Sequence, residues 1–232
     1  MTIKNLEFAL RPRSLAIIGA SDQPGSVGQK LTANILDGGF SGEVYLVNAK
    51  ADTVAGRKCF ASIDQLPETP ELAVIATPPA TLPGIIGELG RKGGRAAVVI
   101  TAGLNAELKQ AMLDQARPYS LRIVGPNCLG LSVPGLGLNA NFGLTKPQAG
   151  SLAFLSQSGA LVTGIVDWAA SRGIGFSYIV SMGDMADVDV GDLLDFLAAD
   201  VSTGSILLYL ETIPAARKFM SAARSAARVK PV

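Results

Sequence analysis

Short apolar, β-branched runs alternate with helix-length segments almost from end to end of this 232-residue chain. The runs fall at 15–18, 44–48, 72–76, 96–101 and 122–124, and helical patterns occupy 27–38, 80–92 and 105–117 between them. A strand that is apolar on both faces must be covered on both faces. Such strands separated by helices therefore specify βαβ units and a parallel sheet between helical layers. The rhythm breaks at 126–150, a stretch rich in Gly, Pro and Asn, and then restarts with strands near 152–155, 177–182 and 206–210. Helices are expected at 160–171, 190–199 and 215–228.

The expected fold is α/β: two Rossmann-like or flavodoxin-like parallel-sheet domains, the second truncated. The first domain is placed at 1–130, a linker at 131–150 and the second domain at 151–232. After the last helix the rhythm asks for another strand, and a sheet of three strands with an open edge would leave backbone groups unpaired. The expectation is a piece of a longer protein; the alternative is a small domain completed by dimerisation, as a homo-oligomer.

With 48% hydrophobic residues the chain can bury a sizeable core. No apolar run approaches the roughly 18–20 residues of a membrane span, and the N-terminus lacks a signal-peptide pattern, so a cytoplasmic protein is expected. Twenty basic and nineteen acidic residues leave a formal charge of +1, which gives no reason to expect nucleic acid or a membrane as partner. Cys59 and Cys128 have neither CxxC spacing nor a secretory context, which argues against a disulfide or a metal site. There are no histidines, so no Ser–His or Cys–His pair can form within these residues.

The first βα turn carries Gly19, Ala20, Ser21, Pro24, Gly25, Ser26 and Val27. A glycine-rich turn there lets backbone N–H groups and a helix N-terminus face a phosphate. Ser21 stands where the strict GxGxxG pattern has its second glycine, and the second strand ends in Asn48 and Lys50 with no carboxylate to hold a ribose diol. A lysine there suits a phosphorylated ribose, which points to coenzyme A or NADP and away from NAD. Thr77, Pro78 and Pro79 follow the third core strand; Thr101, Ala102 and Gly103 follow the next; Asn127 and Cys128 follow the last. All lie at carboxyl ends of strands, where open α/β sheets bind ligands. In the second domain Ser156, Gln157, Ser158 and Gly159 join a strand to a helix and read as a phosphate cradle or a plain helix cap. Glu211 ends the 206–210 strand, again on the ligand side.

Gly19-Ala20-Ser21, Val47-Asn48, the stretch from Val124 through Asn127 and Cys128 to Gly130, Ser156-Gln157-Ser158-Gly159, Asp187-Val188-Asp189 and Leu208-Tyr209-Leu210-Glu211 occur in an order and spacing that resemble the N-terminal part of NDP-forming acyl-CoA synthetases. These are relatives of the succinyl-CoA ligase α subunit, and the resemblance covers essentially the whole chain. It implies a CoA-binding first domain and the start of a succinyl-CoA-ligase-like second domain. The activity it implies joins CoA to a small carboxylic acid through an acyl phosphate and a phosphohistidine supplied from beyond residue 232. It also implies that ATP or ADP and Mg are held by a downstream ATP-grasp domain, with Glu211 orienting the phosphohistidine. Asn127 and Cys128 would lie near the thiol of CoA or acetyl-CoA. The same region resembles GNAT-fused bacterial protein lysine acetyltransferases, in which it would act as an acyl-CoA sensor; an NADP-binding oxidoreductase domain is the remaining alternative.

Overall fold

The computed structural model describes residues 3–232. A short helix α1 (Leu6–Leu10) leads into β1 (Ser14–Ile18), α2 (Val27–Asp37) and β2 (Glu43–Val47). A hairpin of β3 (Thr53–Val54) and β4 (Arg57–Phe60) precedes β5 (Leu72–Ile75), α3 (Leu82–Arg91), β6 (Ala96–Val99), α4 (Ala106–Ala116) and β7 (Arg122–Val124). The second half runs β8 (Gly130–Val133), β9 (Leu138–Asn141), β10 (Ala149–Ser156), α5 (Gly159–Ala170) and β11 (Phe176–Ser181). It ends with α6 (Val190–Ala199), β12 (Ser205–Tyr209) and α7 (Ala216–Ala227).

These strands form a seven-stranded sheet, ordered β3-β4-β2-β1-β5-β6-β7, and a five-stranded sheet, ordered β12-β10-β11-β8-β9. In the first sheet β1 pairs in parallel with β2 on one side and β5 on the other, so the winding reverses beside β1. That reversal splays the helices apart at the carboxyl ends of β1 and β5 and opens a crevice there. The central strands are buried along their whole length, as double coverage requires: β5 and β6 present no exposed residue.

One expectation is corrected. The stretch 131–150 is not a linker: β8 and β9 form an antiparallel hairpin, and β8 pairs antiparallel with β11 inside the second sheet. Its turn is the Pro134–Leu136 3₁₀ turn, which supplied the Pro and Gly signal. Its strands are polar yet buried because their side chains satisfy one another: Ser132 Oγ donates to Asn139 Oδ1 at 2.8 Å and Asn141 Nδ2 donates to Ser132 Oγ at 2.6 Å. Pairing is otherwise mostly parallel, as expected, with one further antiparallel pair, β3 with β4. That second hairpin turns through Ala55 and Gly56, both at positive φ, as a two-residue turn matched to strand twist requires.

One apolar cluster runs from Leu6 and Leu15 in the first half to Tyr178 and Leu193 in the second, so the halves share a core. Polar ties reinforce the junction. Asn34 Nδ2 of α2 donates to the Asn141 and Gly143 carbonyls at 2.7 and 2.9 Å. Arg11 pairs with Asp200 and donates from Nε to Tyr178 Oη at 3.0 Å. On the outer edge of β12 the Ile206 N–H donates to the Pro231 carbonyl at 2.9 Å. No helix of the described residues is long and apolar enough to cross a membrane.

Candidate functional site

The β1–α2 turn is shaped by contacts that exclude side chains. Gly19 has φ +96°, and a Cβ there would lie 2.4 Å from the Ala76 carbonyl oxygen. A Cβ on Gly28 would lie 2.1 Å from the Gly19 carbonyl oxygen, so the first turn of α2 rests directly on the end of β1. The hydroxyls of this turn serve the turn itself. Ser26 caps α2 by accepting from the Gln29 N–H at 3.1 Å, and Ser21 Oγ accepts from the Gln23 N–H at 3.0 Å. What remains to meet an anion is backbone N–H and the positive end of the helix.

Asn48 locks the end of β2 against this turn. Its Nδ2 donates to the Ala20 carbonyl at 2.7 Å and its Oδ1 accepts from the Lys50 N–H at 2.9 Å. Lys50 is exposed at the rim, and its ammonium has no ion-pair partner among the described residues. Between β2, the 61–63 loop and α3 lies a cleft of about 630 Å³ lined by Gly19, Ser21, Ser26, Val27, Asn48, Lys50, Thr77 and Pro78, with Ile63 and Ile85 as apolar walls.

A second cleft, of about 550 Å³, opens where the carboxyl end of the first sheet meets the N-terminus of α5. Thr101, Ala102, Asn127, Cys128 and Gly159 line it, joined by Leu129, Phe142, Ala160 and Thr163. Val27, Ala76 and Thr77 line both clefts, so the two adjoin. Thr101 Oγ1 donates to the Thr77 carbonyl at 2.7 Å and holds the shared wall together.

The remaining expected residues line neither cleft. Ala20 is buried, Pro24 and Gly25 sit outward on the turn, Pro79 opens a 3₁₀ turn, and Gly103 is exposed in the loop after β6. Ser156 is buried, its Oγ bonded to the Ser158 backbone, and Ser158 caps α5 through the Leu161 N–H at 3.3 Å. Gln157 reaches the other way: its Oε1 accepts from the backbone N–H of Glu211 and of Thr212. Gln157 thus clamps the end of β12 beside the helix, while the Glu211 side chain stays exposed. Leu129, Phe142, Ala160 and Thr163 escaped the sequence reading because apolar or small residues on a hairpin and a helix face carry no chemical signature.

Cys128 is buried, donates from Sγ to the Val99 carbonyl at 3.3 Å, and its thiol is pushed up to about 12 by burial. Only about one molecule in ten thousand would be thiolate at pH 8. An aromatic disulfide reagent at pH 8 should leave Cys128 unmodified in the folded protein and modify it once urea is added. Stoichiometric labelling of native Cys128 within minutes, read by mass spectrometry, would contradict this burial.

A glycine turn under a helix N-terminus, at the switch point of an open α/β sheet, defines a nucleotide-binding protein. Comparison with known proteins narrows this. Residues 13–134 match the model of a CoA binding domain and residues 149–232 that of a succinyl-CoA ligase like flavodoxin domain. The acetate–CoA ligase [ADP-forming] I of Archaeoglobus fulgidus is 41% identical over 98% of this chain and 34% of its own length. The acetate–CoA ligase [ADP-forming] I subunit alpha of Pyrococcus furiosus is 36% identical over 98% of this chain and 52% of its own. The Ca. Korarchaeum cryptofilum dinucleotide-forming acetyl-coenzyme A synthetase 1, solved with phosphate and ADP, superposes with a TM-score of 0.93 at 39% identity. It is covered by 97% of this chain and for 50% of its own length. The chain belongs to the family that joins a CoA-binding domain to a succinyl-CoA ligase-like flavodoxin domain, and its relatives are ADP-forming acid–CoA ligases and their α subunits. It spans about a third to a half of those relatives' length. These likenesses do not favour the acyltransferase-sensor alternative.

Proposed function

We propose that the chain is the CoA-binding part of an acid–CoA ligase that converts a small carboxylic acid, CoA and ATP to acyl-CoA, ADP and phosphate. The observation that supports it most is the adjoining of the two clefts through Val27, Ala76 and Thr77. An extended ligand can then lie with its phosphorylated ribose near Lys50, its pyrophosphate on the α2 N-terminus and its thiol between Asn127 and the α5 N-terminus. There the first-turn amides of α5 would face a phosphoryl group, which a helix N-terminus accommodates. The ATP-grasp partner, nucleotide, Mg and phosphohistidine belong in this reading to the rest of the ligase, with Glu211 held by Gln157 on the side from which the histidine would approach.

Calorimetric titration of the 232-residue chain with CoA, with NADPH as control, tests this reading. CoA should bind, NADPH should not, and Lys50→Glu should weaken CoA about tenfold at low salt, less at 0.5 M salt, where surface charges are screened. Binding of NADPH without CoA would replace this reading with the dinucleotide one.

A further inference from the structure

Asn127 stands at the mouth of the second cleft, in left-handed backbone at φ 57°, with its N–H bonded to the Thr101 carbonyl at 2.9 Å. Its side-chain Nδ2 donates to Asp184 Oδ1 at 3.1 Å. A carboxylate only accepts, so this contact admits one orientation of the carboxamide: nitrogen toward Asp184, oxygen away from it. The other oxygen of the same carboxylate, Oδ2, takes the Lys109 ammonium at 2.7 Å. Asp184 is itself fixed by its backbone, whose N–H donates to the Pro126 carbonyl at 2.9 Å. Three elements therefore converge on one carboxylate: α4 through Lys109, the loop after β7 through Asn127, and the loop after β11, which carries Asp184. Asn127 lines the cleft, and its carboxamide oxygen is left without a protein donor among the described residues.

We infer that Lys109 and Asp184 are positioning residues that hold Asn127 Oδ1 toward the cleft as an acceptor for the donor at the far end of the ligand. If CoA occupies the clefts as proposed, that donor is the S–H or the nearest amide N–H of its pantetheine arm, the donors closest to the thiol end. The inference rests on the CoA reading. It adds that the pantetheine end is recognised by an amide whose direction a remote ion pair sets. Asp184 does not touch the ligand in this arrangement; it acts through Asn127. Lys109 keeps the carboxylate aimed. Asp184→Asn is nearly the same shape but can present either an oxygen or a nitrogen, so the Asn127 amide would lose its single orientation.

The test compares two ligands on the whole chain: CoA, and adenosine 3′,5′-bisphosphate, which has the phosphorylated ribose but no pantetheine. Asp184→Asn should weaken CoA about three- to tenfold, the worth of one hydrogen bond, and leave the bisphosphate within twofold. Asn127→Gly, which suits a positive φ, should do the same, and Asp184→Asn should add nothing further in that background, since it acts through the missing amide. Lys109→Arg should restore what Lys109→Met loses. Unchanged CoA affinity in Asp184→Asn overturns the inference. So does a parallel weakening of both ligands, which marks a merely structural residue. Should neither ligand bind the unmodified chain, the CoA reading itself fails and takes this inference with it.

Discussion

Replacing Asp192 by Ala should cost about 3–5 kcal/mol of stability, far more than an ordinary ion pair. Asp192 is 1% exposed, and its carboxylate lies between two cations from different parts of the chain. Arg122 Nη2 of β7 approaches at 3.0 Å and Lys218 Nζ of α7 at 2.7 Å. Arg122 is buried too, and also meets Asp187 at 3.0 Å. The cluster thus ties the last strand of the first sheet to two helices of the second. Removing the central carboxylate leaves a buried guanidinium short of negative charge, which is why the loss exceeds that of a surface pair. Lys218→Met should cost far less, about 1 kcal/mol, because Lys218 keeps partial solvent access and also meets Asp189 at 2.9 Å. Urea unfolding followed by circular dichroism measures both. An Asp192→Ala midpoint shift worth less than 1 kcal/mol, with unchanged slope, would mean that water or rearrangement compensates the charge.

The same cluster has a pH signature. Burial pulls the Lys218 ammonium down, but its hydrogen bonds to Asp192 and Asp189 outweigh burial and leave it above its ordinary value. A group whose folded value is raised contributes stability fully below its unfolded value and loses it as pH rises through the folded one. The Lys218 contribution should therefore persist across neutral pH and fade only in strong alkali.

The α/β alternation was legible because burial on both faces leaves apolar runs that nothing else produces. The strands at 15–18, 72–76 and 96–101 were placed within two residues of β1, β5 and β6. The β8–β9 hairpin was illegible for the converse reason. Ser132, Asn139 and Asn141 look like loop residues, and only their mutual hydrogen bonds make a buried strand of them. The β3–β4 hairpin was missed because its turn opens with Ala55, where the sequence signal for such a turn is Asn or Asp. At the clefts, Gly19, Gly159 and the strand-end positions Asn48, Thr77 and Thr101 follow from turn geometry and topology, whereas Gly25 and Gly103 line neither cleft. The turn carrying Gln157 reads as a phosphate cradle or a helix cap; its side chain reaches the end of β12, and no local pattern reveals a partner 55 residues away. Asp184 and Lys109 meet across 75 residues for the same reason.

The second large effect is expected at Gly28. An Ala there must fit a Cβ that would sit 2.1 Å from a backbone carbonyl oxygen, so either α2 lifts off β1 or the Gly19 peptide shifts. Either movement displaces the amides that would meet the pyrophosphate. Gly28→Ala should therefore lower stability by about 1–3 kcal/mol and weaken CoA binding by at least about tenfold, with binding lost outright in Gly28→Val. Gly19→Ala should behave alike, adding the strain of positive φ to its own clash with Ala76. Gly84 provides the contrast: it is exposed on α3 with nothing within 4 Å of a built Cβ, so Gly84→Ala should stabilise by about 0.5–1 kcal/mol through helix propensity and leave CoA affinity unchanged. Thermal unfolding with and without saturating CoA reads both quantities in one experiment, because a ligand that binds only the folded chain raises the midpoint by an amount that grows with the logarithm of its concentration over Kd. A Gly28→Ala chain that melts with the unmodified one and gains the same shift from CoA would show that the turn can open without consequence. A Gly28→Ala chain that folds but gains no shift would show that CoA binding depends on the seating of α2 on the end of β1.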